Sequence, residues 1–178
     1  MDAIDRLMNE HRQIERALVE LEDVAEGLGR GDRNAGARLT HLVTFLSEFA
    51  DTLHHGKEER LLFPKLCEYG LSEKAGPIAV MLSEHERGRK LLSAMRQFAG
   101  TVPGADDGTA TELSRYAAQY AGLLRDHIRK EDEVLYVMAR AMVPAAEMSR
   151  LSEGCSTFDD AHAEEVARLL ALLENRND

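Results

Sequence analysis

Apolar residues return every third or fourth position along most of this chain, the spacing of one buried helical face. From Asp2 to about Leu28 the stripe runs through Ile4, Leu7, Ile14, Leu18, Leu21 and Val24, with Asp2 placed to cap it. Gly27, Gly29 and Gly31 close it. A second stripe, from about Asn34 to Lys65, uses Leu39, Leu42, Leu46, Phe49 and Leu53, and Pro64 is predicted to end or kink it. A third starts near Pro77 and carries Ile78, Met81, Leu92 and Met95. Turn residues fill Gly100 to Gly108. A fourth helix is predicted from about Thr109 to Met142, through Leu113, Tyr116, Tyr120, Leu123, Val134 and Met138. Beyond Pro144 a short helical or irregular piece is predicted to Leu151. Ser156 or Thr157 would then cap a fifth helix reaching about Glu174. The pattern predicts an all-α fold. Residues 1–142 form an antiparallel up-down four-helix bundle, and the extension 143–178 packs an additional helix on it.

Histidines interrupt these stripes at matched places. His11 and His85 each stand alone on an apolar face, while His54 and His127 each precede a glutamate by four residues, Glu58 and Glu131. The surrounding residues repeat as well: HHGKEERLLF from His54 answers HIRKEDEVLY from His127, and Met8-Asn9-Glu10-His11 answers Leu82-Ser83-Glu84-His85. The unit is therefore a helical hairpin with a lone histidine on its first helix and His-x-x-x-Glu on its second. Residues four apart share a helix face, so each imidazole and carboxylate can reach one metal ion together. Two hairpins would bring four imidazoles and two carboxylates to one interior place. That donor set suits iron, with manganese or zinc as substitutes, and the lack of thiolates disfavours a structural zinc site. Without metal, two carboxylates in an apolar interior would repel, and one should hold its proton more tightly.

Composition narrows the setting. The chain has 178 residues, 44% apolar and 30% charged, with a formal net charge of −10. The acidity argues against nucleic acid and anionic membrane partners. No run reaches the length of a membrane span and the start lacks a secretory core, so a cytoplasmic location is expected. Cys67 and Cys155 form no paired motif and read as free, inert thiols.

The order H…HxxxE…H…HxxxE resembles the haemerythrin-like family with its HHE cation-binding pattern, over roughly residues 1 to 140. The resemblance implies that His11, His54, Glu58, His85, His127 and Glu131 hold two irons with an oxo or hydroxo bridge, Glu58 and Glu131 bridging as well. It implies a small diatomic or peroxide ligand: dioxygen, nitric oxide or a reactive oxygen species. A sensor would also need a protein partner. An enzyme of peroxide or nitric oxide detoxification, an iron-centre repair protein and an iron sensor are the alternatives. One feature departs from oxygen carriers: the positions four from His85 are Met81 and Arg89, so a further third-helix histidine is missing and a symmetric, more open site is expected. A ferritin-like site would need Glu-x-x-His pairs, the reverse order. Glu15 reads as an extra ligand or a solvated acid. His55 and Glu59 read as neighbours of the site or surface residues, and Asp159 with His162 as a weak secondary site.

Overall fold

The structure is a computed structural model that describes residues 1–30, 32, 35–99 and 107–174. Most of the expected Gly100 to Gly108 loop, and Gly31, lie outside these residues. Apart from one isolated bridge between Ser72 and Ala75, the described residues contain no strand. Helix α1 spans Ala3–Gly29, and Asp2 caps it by accepting the Asp5 backbone N–H at 2.7 Å. One continuous helix covers 35–68. It begins as α2 (Ala35–Phe45), widens into π-helical turns over Leu46–His55 and Glu58–Leu62, and ends as α3 (Phe63–Glu68). Pro64 does not end this helix. It sits in the first turn of α3, directly after a π turn whose wider hydrogen-bond ring accommodates a residue lacking an N–H.

Helix α4 spans Gly76–Ala99 and is entered through Gly76 at φ 72°, a backbone angle that favours glycine. Helix α5 covers Asp107–Lys130, passes through a π turn at Glu131–Leu135 and continues as α6 (Tyr136–Met142). Contacts link α1 with α5, α5 with α4, α4 with α2, and α2 with α1, which makes a helical bundle.

Residues 145–174 form two helices, the first running well past the short helical or irregular piece expected to Leu151. Helix α7 (Ala145–Ala161) starts immediately after Pro144, and α8 (Ala163–Glu174) follows a break at His162. Thr157, an expected cap, instead donates its hydroxyl to the Glu153 carbonyl at 3.0 Å and stays inside the turn. Leu169 and Leu173 of α8 are buried, and Arg38 of α2 donates to the carbonyls of Leu172 and Leu173, both at 2.9 Å.

Two apolar cores fill the molecule. One contains Ile14, Leu18, Leu39, Leu53, Leu92 and Ile128; the other contains Ile4, Leu7, Leu62, Phe63, Met81 and Leu135. On every long helix the break between the two cores falls where a histidine or glutamate of the repeated motif stands. No helix among the described residues is long and apolar enough to cross a membrane.

Candidate metal centre

The polar layer between the cores consists of buried His11, His54, His55, His85, His127, Glu58 and Glu131, all at most 3% exposed. They form two groups that share Glu58. In one, His11, His54, Glu58 and Glu131 present ligand atoms within 4.8 Å of one another; in the other, His55, Glu58, His85 and His127 do so. Glu58 Oε2 lies 3.8 Å from His54 Nε2 and 3.5 Å from His85 Nε2, so it stands between the groups. Glu131 Oε2 lies 3.2 Å from Nε2 of both His11 and His127, and occupies the equivalent place on the other side. Nε2 atoms of His85 and His127 are 3.1 Å apart. Two nitrogens about 2.1 Å from one ion, at right angles, would be separated by about 3 Å.

Each imidazole is aimed from behind. His54 Nδ1 is 2.9 Å from Glu10 Oε2 and His127 Nδ1 is 3.0 Å from Glu84 Oε2. Lys57 ion-pairs with Glu10, and Lys130 with Glu84. His11 Nδ1 is 2.7 Å from Asp132 Oδ1, and His85 Nδ1 is 2.7 Å from Glu59 Oε1. Arg12 holds Asp132, and Arg89 holds Glu59 at 3.0 Å. The repeat thus extends beyond the central residues. The acid before each lone histidine serves one imidazole, and the acid after each central glutamate serves another. A carboxylate on Nδ1 fixes the tautomer that leaves Nε2 free for a metal. A ring also lies parallel to each lone histidine: Tyr136 on His11 at 5.4 Å and Phe63 on His85 at 5.9 Å.

Charge in this layer is poorly compensated by the protein alone. Burial and the nearby Glu58 charge hold the Glu131 carboxyl well above the usual range. Burial pushes Glu58 the same way, but the surrounding histidines overcome it and bring Glu58 below the usual value. Burial opposes the His11 cation, yet Asp132 and Glu131 push its pKa up to about 9. Burial holds His54 and His55 well below their ordinary value, as neutral rings. His54 Nε2, Glu58 Oε2 and both Glu131 carboxylate oxygens are buried with no hydrogen-bond partner. Buried polar atoms are nearly always satisfied, and His54, Glu58 and Glu131 each present a ligand atom to the same group. Nitrogen and oxygen donors with no thiolate among them fit a borderline or hard dication such as iron.

All six residues singled out from the spacing meet here. His55, read as a neighbour or surface residue, is instead inside the cluster. The expected symmetry therefore fails, because its repeat counterpart is Ile128. Glu59 lies behind His85, 28% exposed. Glu15 ion-pairs with Arg12 at 2.8 Å and stays outside. Asp159 and His162 form no site: Asp159 pairs with Lys57 at 2.6 Å and with Arg6, while His162 Nδ1 contacts the Phe158 carbonyl at 2.7 Å. Tyr120 is core, and the tyrosine that reaches the centre is Tyr136, whose hydroxyl donates to Glu58 Oε1 at 2.7 Å. Both cysteines are free; burial pushes the Cys155 thiol up to about 11, which keeps it unreactive.

The helical bundle and its layer of histidines and carboxylates define a cation-binding protein of the His–carboxylate class. The chain belongs to the haemerythrin family: the family model of the hemerythrin HHE cation binding domain matches residues 2–139. Among similar proteins, the iron–sulfur cluster repair protein DnrN of Neisseria gonorrhoeae is 28% identical over 138 residues, which is 75% of this chain and 87% of that protein. The iron–sulfur cluster repair protein YtfE of Escherichia coli K12 is 34% identical over 109 residues, 58% of this chain and 47% of that protein. The uncharacterized protein Rv1995 of Mycobacterium tuberculosis is 26% identical over 162 residues; the match takes in 89% of this chain and 60% of that longer relative.

Proposed function

We propose that this chain is a non-haem di-iron protein whose centre receives dioxygen, nitric oxide or a reactive oxygen species. Four long helices, read as an up-down bundle of two hairpins, would hold it. His11, His54, Glu58, His85, His127 and Glu131 would be its ligands, with Glu58 and Glu131 shared between the ions. The observation that carries this reading is the set of orphaned, inward-facing atoms on His54, Glu58 and Glu131. When bound, a pair of irons supplies one- and two-electron redox chemistry and a place for a small ligand.

The chain's own residues do the rest. Glu10, Glu84, Asp132 and Glu59 fix the imidazoles, and the two apolar cores keep water away. Tyr136 offers a hydroxyl beside Glu58. A cleft of about 510 Å³ between α1, the second long helix and α7–α8 has His54, Lys57 and Glu10 in its wall beside Phe49, Leu53 and Leu170. It gives a small uncharged molecule a partly apolar approach to the centre.

A second reading, repair of damaged iron centres, draws on the names of the DnrN and YtfE relatives. Anaerobic purification, metal analysis and absorption spectra before and after exposure to oxygen or nitric oxide test the first reading. The expected result is two irons per chain and a reversible spectral change. A colourless chain that takes up no iron contradicts it. Transfer of iron to a damaged cluster protein, with the donor chain losing its iron, would favour repair.

A further inference from the structure

The repeat that builds the centre also sets two outer faces in correspondence, and α7 covers only one of them. In the first hairpin α7 lies antiparallel to the second long helix: Lys57 pairs with Asp159 at 2.6 Å and Lys65 with Glu147 at 3.1 Å. Between these pairs the helices come close, and a Cβ at Gly154 would stand 3.8 Å from Leu61 Cδ1. Arg6 of α1 also pairs with Asp159. A small residue and an acid of α7 thus meet a leucine and a lysine one turn apart.

The second hairpin repeats the receiving side. Lys130 answers Lys57, Val134 answers Leu61, and Val80 answers Arg6. Among the described residues Lys130 pairs with Glu84 alone, and its side chain is 36% exposed where that of Lys57 is 2% exposed. Of the five large apolar side chains exposed among the described residues, three are Val80, Val134 and Val137. The ion pair joins them: Val80 lies one helical turn from Glu84, and Val134 one turn from Lys130. Val137 follows within the next turn. This face has the lysine and the apolar residues of the α7 seat, with one acid on the lysine in place of two.

The same chain carries matching residues. Gly122 is exposed, and a Cβ there would meet nothing within 4 Å. Asp126 is exposed and, among the described residues, pairs only with Arg129 at 3.2 Å. Gly122 and Asp126 are a small residue followed by an acid, as Gly154 and Asp159 are in α7. Two copies of α5–α6 laid antiparallel would set Lys130 against the partner subunit's Asp126, and Val134 against the partner subunit's Gly122. Both pairs share one midpoint, Ile128, which is what a two-fold axis requires. Gln119 and the partner subunit's Val137 share it too. An open cleft of about 530 Å³ between α4 and α5, with Glu84, Asp126 and Lys130 in its wall, runs beside this ridge.

We infer that a second copy of this chain covers this face, in a two-fold dimer along α5–α6 held by Asp126–Lys130 pairs in both directions and by Val134 of each copy over Gly122 of the other. Lys130 then gains a second carboxylate, as Lys57 has in Asp159. The dimer would steady Glu84 behind His127 in the way that α7 steadies Glu10 behind His54.

The test is sedimentation of the full chain as purified, from about 1 to 500 μM, a span that reaches weak self-association. The expected result is a concentration-dependent species of twice the 19.8 kDa of the chain. Val134→Glu and Gly122→Leu, both on the outer surface, should leave a monomer with unchanged circular dichroism and metal content. Asp126→Lys counts twice in a two-fold dimer and should raise the dimer Kd about tenfold or more. An equimolar mixture of Asp126→Lys with Lys130→Glu should dimerise again, because opposite charges then meet in both pairs. A chain that stays monomeric throughout overturns the inference and leaves this face to a helix of another protein. A dimer that survives Val134→Glu, Gly122→Leu and Asp126→Lys uses another face and overturns it as well. None of these readings depends on metal, so their failure leaves the di-iron reading untouched.

Discussion

Behind every imidazole at the centre stands an acid, and that acid is the residue most easily removed without touching a ligand. Glu84 illustrates it: burial alone would raise its pKa, but the contacts of His127 and Lys130 bring it down to about 2, so it stays ionised. Glu84→Ala should lower metal affinity by about 10–100-fold, the usual effect of losing such a partner, with the helical content kept. Chelator competition measures it; a change under about twofold would mean that the rings are held by their neighbours alone. The same residues set a pH dependence. In the metal-free protein the Glu131 carboxyl lies above its usual range and His11 is raised to about 9, so His11 holds a proton near neutrality and the Glu131 carboxylate is disfavoured. A metal needs the carboxylate ionised and the imidazole neutral, so loading must expel the His11 proton and whatever proton Glu131 holds. Apparent affinity should therefore climb as pH rises from neutrality toward about 9, the His11 value, and then level, with protons released in weakly buffered solution. His54 and His55 add nothing to that release, because burial already keeps them neutral. Affinity that is flat over this range would contradict the assignment.

At the level of elements, the sequence pattern and the structure agree where ordinary helical periodicity rules. Asp2 caps α1, the stripes of Leu39 to Leu53 and of Leu113 to Tyr120 face inward, and the repeat locates all six central residues. Periodicity cannot foresee a π turn, because no residue type marks one. That is why periodicity alone puts His55 beside the site or on the surface and makes Pro64 a stop or a kink. The acids behind the rings were legible in part: the repeated Glu10-His11 and Glu84-His85, and the repeated lysine before each central glutamate, were visible as matches without a role. Hydroxyls that bond to their own helix, as in Thr157, made α7 look like a loop with a cap. That helix matters to the site. Its Asp159 reaches buried Lys57, which pairs with Glu10 behind His54. Asp159→Ala leaves Lys57 one carboxylate in place of two and should cost about 1–3 kcal/mol of stability, read by thermal or denaturant unfolding. Glu10 still orients His54, so metal affinity should fall far less than in Glu84→Ala. An equal loss would show that α7 is part of the site and not a clamp upon it.

Across the whole molecule, the polar layer divides one hydrophobic interior into two. Each core closes by apolar contact, and a substitution such as Leu39→Ala should cost about 2–5 kcal/mol whether or not metal is present. The layer between them behaves differently, since its unsatisfied atoms become satisfied only when a cation binds. A ligand that binds the folded chain alone stabilises it by about 4.1 kcal/mol at a thousandfold excess over its Kd. For a chain of this size, each kcal/mol moves the melting temperature by about 2–4 °C. Metal removal should thus lower melting by roughly 10 °C for each tightly held ion. Glu131→Gln separates this effect from packing. Burial and the nearby Glu58 charge already disfavour the ionised form of Glu131, so a neutral glutamine of the same shape should change the metal-free chain little. It cannot ionise to serve two ions, and most of the increment from metal should vanish. If instead Glu131→Gln weakens the metal-free and loaded chains alike, the layer is structural packing and the stabilisation does not come from a bound cation.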